Sequence, residues 1–286
     1  MTTATPARTW ARGPAGQARP GYSFRSAARM EWLKLRSVRS TSWIVLVFAA
    51  GLIGLSVLVL SHEHWATMSA AERASFDPVN EGFTGLALGQ LVLGVLGVLA
   101  ITTEFSSGMI RATFAAVPRR PMVLAAKAAV VAAVTLVVGE VLAFGAFAAG
   151  ELALRSPAPH ATLGQPGVLR AVLLGGAYPC LIALIALGLG AIIRNTAAAI
   201  SAVVGMLFVI PLILLPLGTS IQHSVGQFLP MLIAENSMTA VKPVAHSLSP
   251  GAGFAVLCGY AAVALVAGGW ALARRDAGTE SVSRGQ

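Results

Sequence analysis

Residues 42–60 read SWIVLVFAAGLIGLSVLVL, nineteen residues in succession without a charged side chain. An α-helix rises about 1.5 Å per residue and the hydrocarbon core of a bilayer is about 30 Å thick, so a run of about 20 apolar residues can cross it. The run is longer than the apolar part of a secretory signal, which spans roughly 7 to 15 residues. The stretch therefore predicts a retained membrane-spanning helix.

Five further apolar runs of similar length follow along the chain. They cover residues 83–102, 128–150, 171–193, 196–217 and 252–272, and the only charged side chain in them is Glu140. Alternation of apolar and polar residues, which is typical of strands in a membrane barrel, does not recur. The sequence therefore predicts an all-α polytopic membrane protein with six transmembrane helices.

The composition excludes a soluble enzyme. Only 11% of the residues are charged, whereas an ordinary soluble domain has roughly a quarter, so the charged residues are too few to cover a surface that faces water. Both cysteines, Cys180 and Cys258, lie inside apolar runs. Neither a disulfide framework nor a cysteine-based zinc site is therefore expected.

The basic residues predict the orientation of the spans. Sixteen of the twenty Lys and Arg lie in the N-terminal arm, the connection between spans two and three, the turn between spans four and five, and the C-terminal tail. Basic residues accumulate on the cytoplasmic side of membrane proteins, so both termini are predicted to be cytoplasmic. Because topology accounts for most of the net charge of +9, no nucleic-acid partner is expected.

The chain before the first span divides into two parts. Residues 1–21 are rich in Ala, Arg, Pro and Gly without apolar periodicity, which predicts a disordered cytoplasmic arm. Residues 22–41 predict an amphipathic helix in the plane of the lipid headgroups. The alternative is a charged arm that only enforces orientation. The predicted interfacial residues are Phe24 and Trp32 on the apolar face and Arg25, Arg29 and Arg36 on the basic face.

Two features inside the spans predict contacts between helices. Gly85 and Gly89 form a pair of small residues four apart, which lets two helices approach closely. Glu140 lies near the centre of the third span, where a charge is costly, so it should face protein or a water-filled path. Two interpretations stay open for Glu140. In the first it makes a polar contact in the translocation route, or a helix-to-helix hydrogen bond that moves during transport; in the second it is a neutral carboxyl satisfied by a nearby Ser or Thr.

Residues 218–251, between the fifth and sixth spans, are too numerous for a hairpin turn. Apolar residues such as Ile221 and Val225 recur at near-helical spacing until Pro230 interrupts them. The segment predicts either short helices at the outer membrane face or a structured external loop. The tail, residues 273–286, is predicted to be cytoplasmic.

The sequence contains no signature of catalysis. The motifs G-x-x-x-x-G-K-[ST], G-x-S-x-G and H-E-x-x-H do not occur, so ATP hydrolysis or proteolysis by this chain is not expected. His62 and His64 flank Glu63, but adjacent side chains on a helix point about 100° apart and no third spaced ligand follows. Neither a metal site nor a bound cofactor is predicted.

The connection between spans two and three, residues 103–127, is the most informative segment. Glu104 follows the second span directly, Gly108 can provide a bend, and the segment 109–116 is long enough for a helix of two turns. Pro118 and Pro121 then restrain the chain. Charged residues at both ends would present this helix to a soluble partner.

These residues resemble the membrane subunits of type 2 ABC exporters. In that family the second span ends in an acid followed by small residues, a glycine, an apolar pair and a basic residue, and a Pro-x-Arg element precedes the third span. The Glu31–Arg36 segment and the Leu229–Pro230 pair are also similar to the family pattern. The matching residues in the connection are Glu104, Gly108, Arg111, Pro118, Arg120 and Lys127.

The resemblance implies a permease of an ATP-driven exporter in a bacterial plasma membrane. It implies two cytoplasmic ATPase subunits that bind ATP and Mg, and a second permease subunit, either another copy or a different chain. Residues 103–127 would couple the ATPase to the spans: Glu104 would fix the start of the element, and Arg111, Arg119 and Arg120 would contact the ATPase. The alternatives are an ion-coupled carrier or channel and, less favoured, a membrane enzyme or structural protein.

Overall fold

The six long apolar segments are all helical. A computed structural model describes residues 23–37, 39–63, 65–116, 120–217, 224–240 and 247–274. Six helical segments in these ranges are long and apolar enough to cross a membrane, and none of the described residues forms a strand. The predicted all-α fold with six spans is therefore confirmed. The helices are α1 (Phe24–Ser37), α2 (Arg39–His62), α3 (Ala70–Ser75), α4 (Pro78–Gly82), α5 (Leu86–Ser106), α6 (Met109–Ala116), α7 (Arg120–Ala153), α8 (Val168–Ile193), α9 (Thr196–Val204), α10 (Ile210–Leu214), α11 (Pro230–Met238) and α12 (Pro250–Arg274).

The spans are α2, α5, α7, α8, the pair α9 and α10, and α12. The fifth span passes from α9 to α10 through a π-helical turn at Gly205–Val209. Pro211 follows this turn and has no amide hydrogen to donate to the preceding turn of the helix, so the wider turn lies where the regular hydrogen-bond pattern fails.

Helix α8 lies at the centre of the bundle. It packs against α5, α7 and α12 along its length and also contacts α9 and α11. Its buried side chains include Tyr178, Ile182 and Leu187, each at most 2% exposed. In contrast, most side chains of α2, α9 and α10 are not buried by the rest of the chain. The bundle is therefore built around the fourth span.

Glycines allow the helices around α8 to approach it closely. A Cβ atom at Gly97 of α5 would overlap the carbonyl oxygen of Ala183 in α8, and one at Gly139 of α7 would overlap the carbonyl oxygen of Gly176. In each case the group in the way is backbone, which a rotamer change cannot move aside. These two glycines therefore set the distances of α5 and α7 from α8.

Gly85 and Gly89 lie against α2. A Cβ atom at Gly85 would lie 2.7 Å from the carbonyl oxygen of Gly51, and one at Gly89 would overlap the ring of Phe48. Gly85 is the residue that precedes α5, so the pair packs the first turn of this span against the middle of the first span.

The connectivity gives the bundle two distinct ends. We call them the α6 end, which carries α1, α6, the last turn of α5 and the first turns of α7, and the α11 end, which carries α3, α4 and α11. Helix α7 begins at Arg120, about two turns before the predicted start of the third span at residue 128. Lys127 thus lies inside α7 and not before it.

The α11 end has more regular structure than the sequence predicts. The carboxylate of Asp77 caps α4 by accepting hydrogen bonds from the amides of Val79 (3.1 Å) and Asn80 (3.3 Å), and it also accepts one from the amide of Ala240 (2.6 Å). Helix α11 packs on α8 and α12. Pro230 does not interrupt a helix but begins α11, where the first residue needs no amide hydrogen.

Some predictions concern residues outside the described ranges. They are the disordered arm at residues 1–21, the positions Pro118, Arg119 and Ile221, His64, and residues 275–286 of the tail.

Candidate functional site

The element between spans two and three contains the predicted bend and the predicted short helix. Gly108 has a φ of 72°, a left-handed conformation that glycine adopts without steric cost. The backbone then enters α6, which covers Met109–Ala116 as expected. The bend turns the chain out of the axis of α5 immediately after this span ends.

Helix α6 has one buried face and one exposed face. Ile110 and Thr113 are buried at 4% and 5% exposure, and their spacing of three residues places them on the same side of the helix. Met109, Ala112 and Ala115 are exposed at the same spacing, and Arg111 is exposed beside them. The α6 helix therefore rests on the bundle and presents small, apolar and basic side chains outward.

A cluster of four charged side chains lies beneath α6. We call it the charge cluster, and it consists of Glu31 and Lys34 of α1, Glu104 of α5 and Lys127 of α7. The Lys34 ammonium lies 2.9 Å from the carboxylates of both Glu31 and Glu104. The Lys127 ammonium lies 2.8 Å from Glu104 and also contacts Glu31. Each lysine thus bridges two carboxylates, and each carboxylate binds two lysines.

Most of the charge cluster is shielded from solvent. The side chains of Glu31, Glu104 and Lys127 are 2–4% exposed, and that of Lys34 is 26% exposed. Buried charges are tolerated when their partners compensate them, and the cluster is neutral as a whole. The cluster therefore joins α1, α5 and α7, because the charges are balanced only when residues of all three helices are present.

Lys34 remains charged in this environment. Its burial opposes the ammonium charge, but hydrogen bonds donated to Glu104 and Glu31, together with the negative charge of both groups, outweigh burial and raise the pKa of Lys34 above its ordinary value. This shift favours the ammonium form, so Lys34 is positively charged at neutral pH.

The charge cluster also contacts α6. The hydroxyl of Thr113 lies 3.5 Å from the second carboxylate oxygen of Glu104 and 3.3 Å from the carbonyl oxygen of Met109, so its single proton is shared between these two acceptors. Glu104 is buried, so it cannot touch another protein directly. Its position instead links the inner face of α6 to α5, α7 and α1.

Two arginines connect the α6 end to the last turn of α12. Arg120 donates a hydrogen bond to the carbonyl of Leu272 (3.3 Å), and its guanidinium lies 5.2 Å from the ring centre of Phe114 in α6. Arg194 donates to the carbonyl of Ala271 (3.0 Å) and lies 5.2 Å from the ring centre of Phe105. The last carbonyls of a helix have no partner within it, so arginines are favourable there.

The family resemblance implies an ATPase contact for Arg120, and Arg194 is one of the basic residues that predict the topology. The structure shows contacts within the chain for both side chains. Of the predicted ATPase contacts, Arg111 is the one that the described structure places on the outer side of α6.

Helix α1 forms where an amphipathic helix was predicted. Phe24 and Trp32 are both 47% exposed, and Arg25, Arg29 and Arg36 are exposed beside them. The side that packs on α7 carries Ala27 and Glu31 instead. Sequence reasoning missed this third face. Glu31, the one acid of this basic segment and three residues before Lys34, is the sequence signal that could have revealed it.

Glu140 lies on α7, thirteen residues after Lys127 of the charge cluster, and contacts α8. A Cβ atom at Gly176 would lie 2.7 Å from the carboxyl carbon of Glu140, so the glycine makes room for this side chain. One carboxyl oxygen is buried and has no hydrogen-bond partner among the described residues. The interpretation in which Ser or Thr satisfies the carboxyl does not hold for that oxygen.

The fold and the α6 end define a polytopic membrane protein with a short helix held against the ends of its spans. The sequence matches the family model described as ABC-2 family transporter protein over residues 27–211. The match covers more than half of the chain, including the charge cluster and α6, so the chain belongs to this family and is the membrane permease component of a transporter. No curated protein matches the chain.

Proposed function

We propose that the chain is the permease subunit of an ATP-driven exporter and that α6 is the surface that docks on a cytoplasmic ATPase. The observation that carries this proposal is the two-sided character of α6: its inner face is tied to the charge cluster through Thr113, and its outer face presents Met109, Arg111 and Ala112. A force applied to the outer face would thus reach two spans, α5 and α7, together with α1.

The charge cluster explains how a small movement of α6 would be transmitted. Thr113 contacts Glu104 of α5, and Phe114 lies against Arg120 of α7. Glu104 and Lys127 are paired with each other and with α1, so displacement of α6 shifts the ends of α5, α7 and α1 together. Such small shifts of packed elements are a common means of switching between conformations.

In the proposed orientation the α6 end lies on the cytoplasmic side of the plasma membrane, because most basic residues flank the spans at this end. Both termini are then cytoplasmic. Helix α1 lies in the headgroup plane, with Phe24 and Trp32 toward lipid and its arginines toward phosphate. The ATPase subunits bind ATP and Mg, and a second permease subunit completes the transporter.

Charge reversal at Arg111 tests the docking surface. In Arg111→Glu we expect the amount of ATPase that co-purifies with the tagged permease to fall by at least about tenfold, because an unfavourable charge contact at an interface costs several kcal/mol and about 1.4 kcal/mol already lowers affinity tenfold. Co-purification from native membranes and ATP hydrolysis by the purified complex are the measurements. Arg155→Glu is the matched control, because Arg155 is an exposed arginine at the α11 end.

Two outcomes would contradict the proposal. If Arg111→Glu co-purifies with the ATPase and supports ATP hydrolysis as the wild type does, α6 is not the docking surface. ATP hydrolysis by the purified permease alone would contradict a separate ATPase subunit, and transport driven by an ion gradient without ATP would favour a carrier.

A further inference from the structure

A cavity of about 350 Å³ lies at the α11 end, at the opposite end of the bundle from the charge cluster. Its volume falls within the range of about 300–1,000 Å³ that is typical of small-molecule sites. Helix α4, the first turns of α5, the middle of α8 and helix α11 surround it. The walls therefore come from four separate elements of the fold.

Half of the residues that line the cavity are apolar, and several of them are held in place by packing. Phe83, Leu86, Met231 and Met238 contribute apolar surface. Phe83 and Met238 both pack at Gly175 of α8, where a Cβ atom would lie 3.3 Å and 3.5 Å from them. The hydrogen bond from the Ala240 amide to Asp77 ties the segment after α11 to the start of α4. These contacts fix the positions of the elements that form the cavity.

Two buried polar side chains also line the cavity. Gln90 and Tyr178 are 1% and 2% exposed, and the Tyr178 hydroxyl donates a hydrogen bond to the side-chain oxygen of Gln90. The Gln90 amide donates to the carbonyl of Ala87 (3.0 Å). Tyr178 therefore brings an aromatic ring and a neutral polar group to the wall.

The charged residues of the cavity are all acidic. Glu81 and Glu235 line it, whereas none of its described lining residues is Lys, Arg or His. Neither carboxylate forms an ion pair or a side-chain hydrogen bond with a described residue. Burial of Glu81, and then the negative charge of Glu63, Asp77 and Glu235, raise the pKa of Glu81 above its ordinary value. The negative charge in this region is therefore not compensated from within the cavity.

We infer that this cavity binds an organic cation that carries apolar groups. Glu81 and Glu235 provide the opposite charge, the rings of Phe83 and Tyr178 can face a cation, and the apolar walls accept its hydrocarbon part. The inference deepens the proposed transport function and rests on it, because it assigns a substrate class to a site on the permease.

Equilibrium binding of tetraphenylphosphonium to the full chain in nanodiscs of zwitterionic lipid tests this inference. Tetraphenylborate has nearly the same shape and the opposite charge, so we expect saturable binding of the cation and not of the anion. Glu81→Gln should weaken cation binding about tenfold, the size expected for loss of one partly desolvated charge contact. Glu235→Gln, at an exposed position, should weaken binding in the same direction.

Glu72→Gln is the matched control. Glu72 is an exposed carboxylate of the same end that does not line the cavity, and glutamine can keep its capping role in α3. Equal binding of the two ions, or unchanged cation binding in both cavity variants, would overturn the inference. If Glu81→Gln does not fold, Glu235→Gln decides the outcome alone.

The experiment separates this inference from the proposed function because it needs no ATPase. If the permease still couples to its ATPase but does not bind the cation, the inference of an organic-cation site is refuted and the proposed transporter function stands. If the chain binds the cation but never assembles with an ATPase, the inference of an organic-cation site is supported and the proposed function as an ATP-driven exporter is contradicted.

Discussion

Replacing Lys127 with methionine should destabilise the folded bundle by about 3–5 kcal/mol, the cost of removing one partner from a buried ion pair. Lys127 is 4% exposed and pairs with Glu31 and Glu104, so its loss leaves two buried carboxylates with Lys34 as their only cluster cation. Thermal unfolding of the solubilised protein, followed by size-exclusion chromatography, measures the effect. Arg155→Met, at an exposed position, is the control and should unfold near the wild-type temperature.

A double variant distinguishes ion pairing from a general effect of substitution. Glu104→Gln together with Lys127→Met removes one charge of each sign and leaves the Glu31–Lys34 pair, whose atoms lie 2.9 Å apart. We therefore expect the double variant to be more stable than Lys127→Met alone. A double variant whose loss equals the sum of both single losses would show that the charges do not depend on one another.

Substitution of Gly97 by alanine should lower stability by about 1–3 kcal/mol, the usual cost of forcing an extra methyl group into a packed interior. The new Cβ would overlap the carbonyl oxygen of Ala183, so α5 would have to move away from α8. The midpoint of thermal unfolding measures the loss. Because α8 is the central helix, we also expect the rate of ATP hydrolysis by the purified complex to fall.

Gly54→Ala is the control for this prediction. A Cβ atom at Gly54 meets nothing within 4 Å, and alanine is favoured over glycine in a helix by about 1 kcal/mol. This variant should unfold at or above the wild-type temperature. Equal destabilisation by both substitutions would contradict the close approach of α5 and α8.

The spans were predictable because a bilayer imposes a length and an apolar surface that can be counted along the sequence. The helix from Met109 to Ala116 was predictable for a local reason, since Gly108 permits the bend before it. Spacing within one segment was enough in both cases.

The charge cluster was not predictable in the same way. Glu31 of α1 and Lys127 of α7 meet only because two helices that are distant in sequence pack together, and periodicity within a helix does not report on its neighbour. The same reason applies to Gly97, whose partner lies in another span. Pro230 shows a different limit, because a proline that breaks one pattern can also start the next helix.

The sharing of partners in the charge cluster restricts how the spans can separate. If α1, α5 or α7 moved away from the other two helices, a charge would be left without its partner in a region of low polarity, where it is costly. These three helix ends therefore have to travel as one rigid body. The permease then has fewer independently moving parts at this end than it has helices.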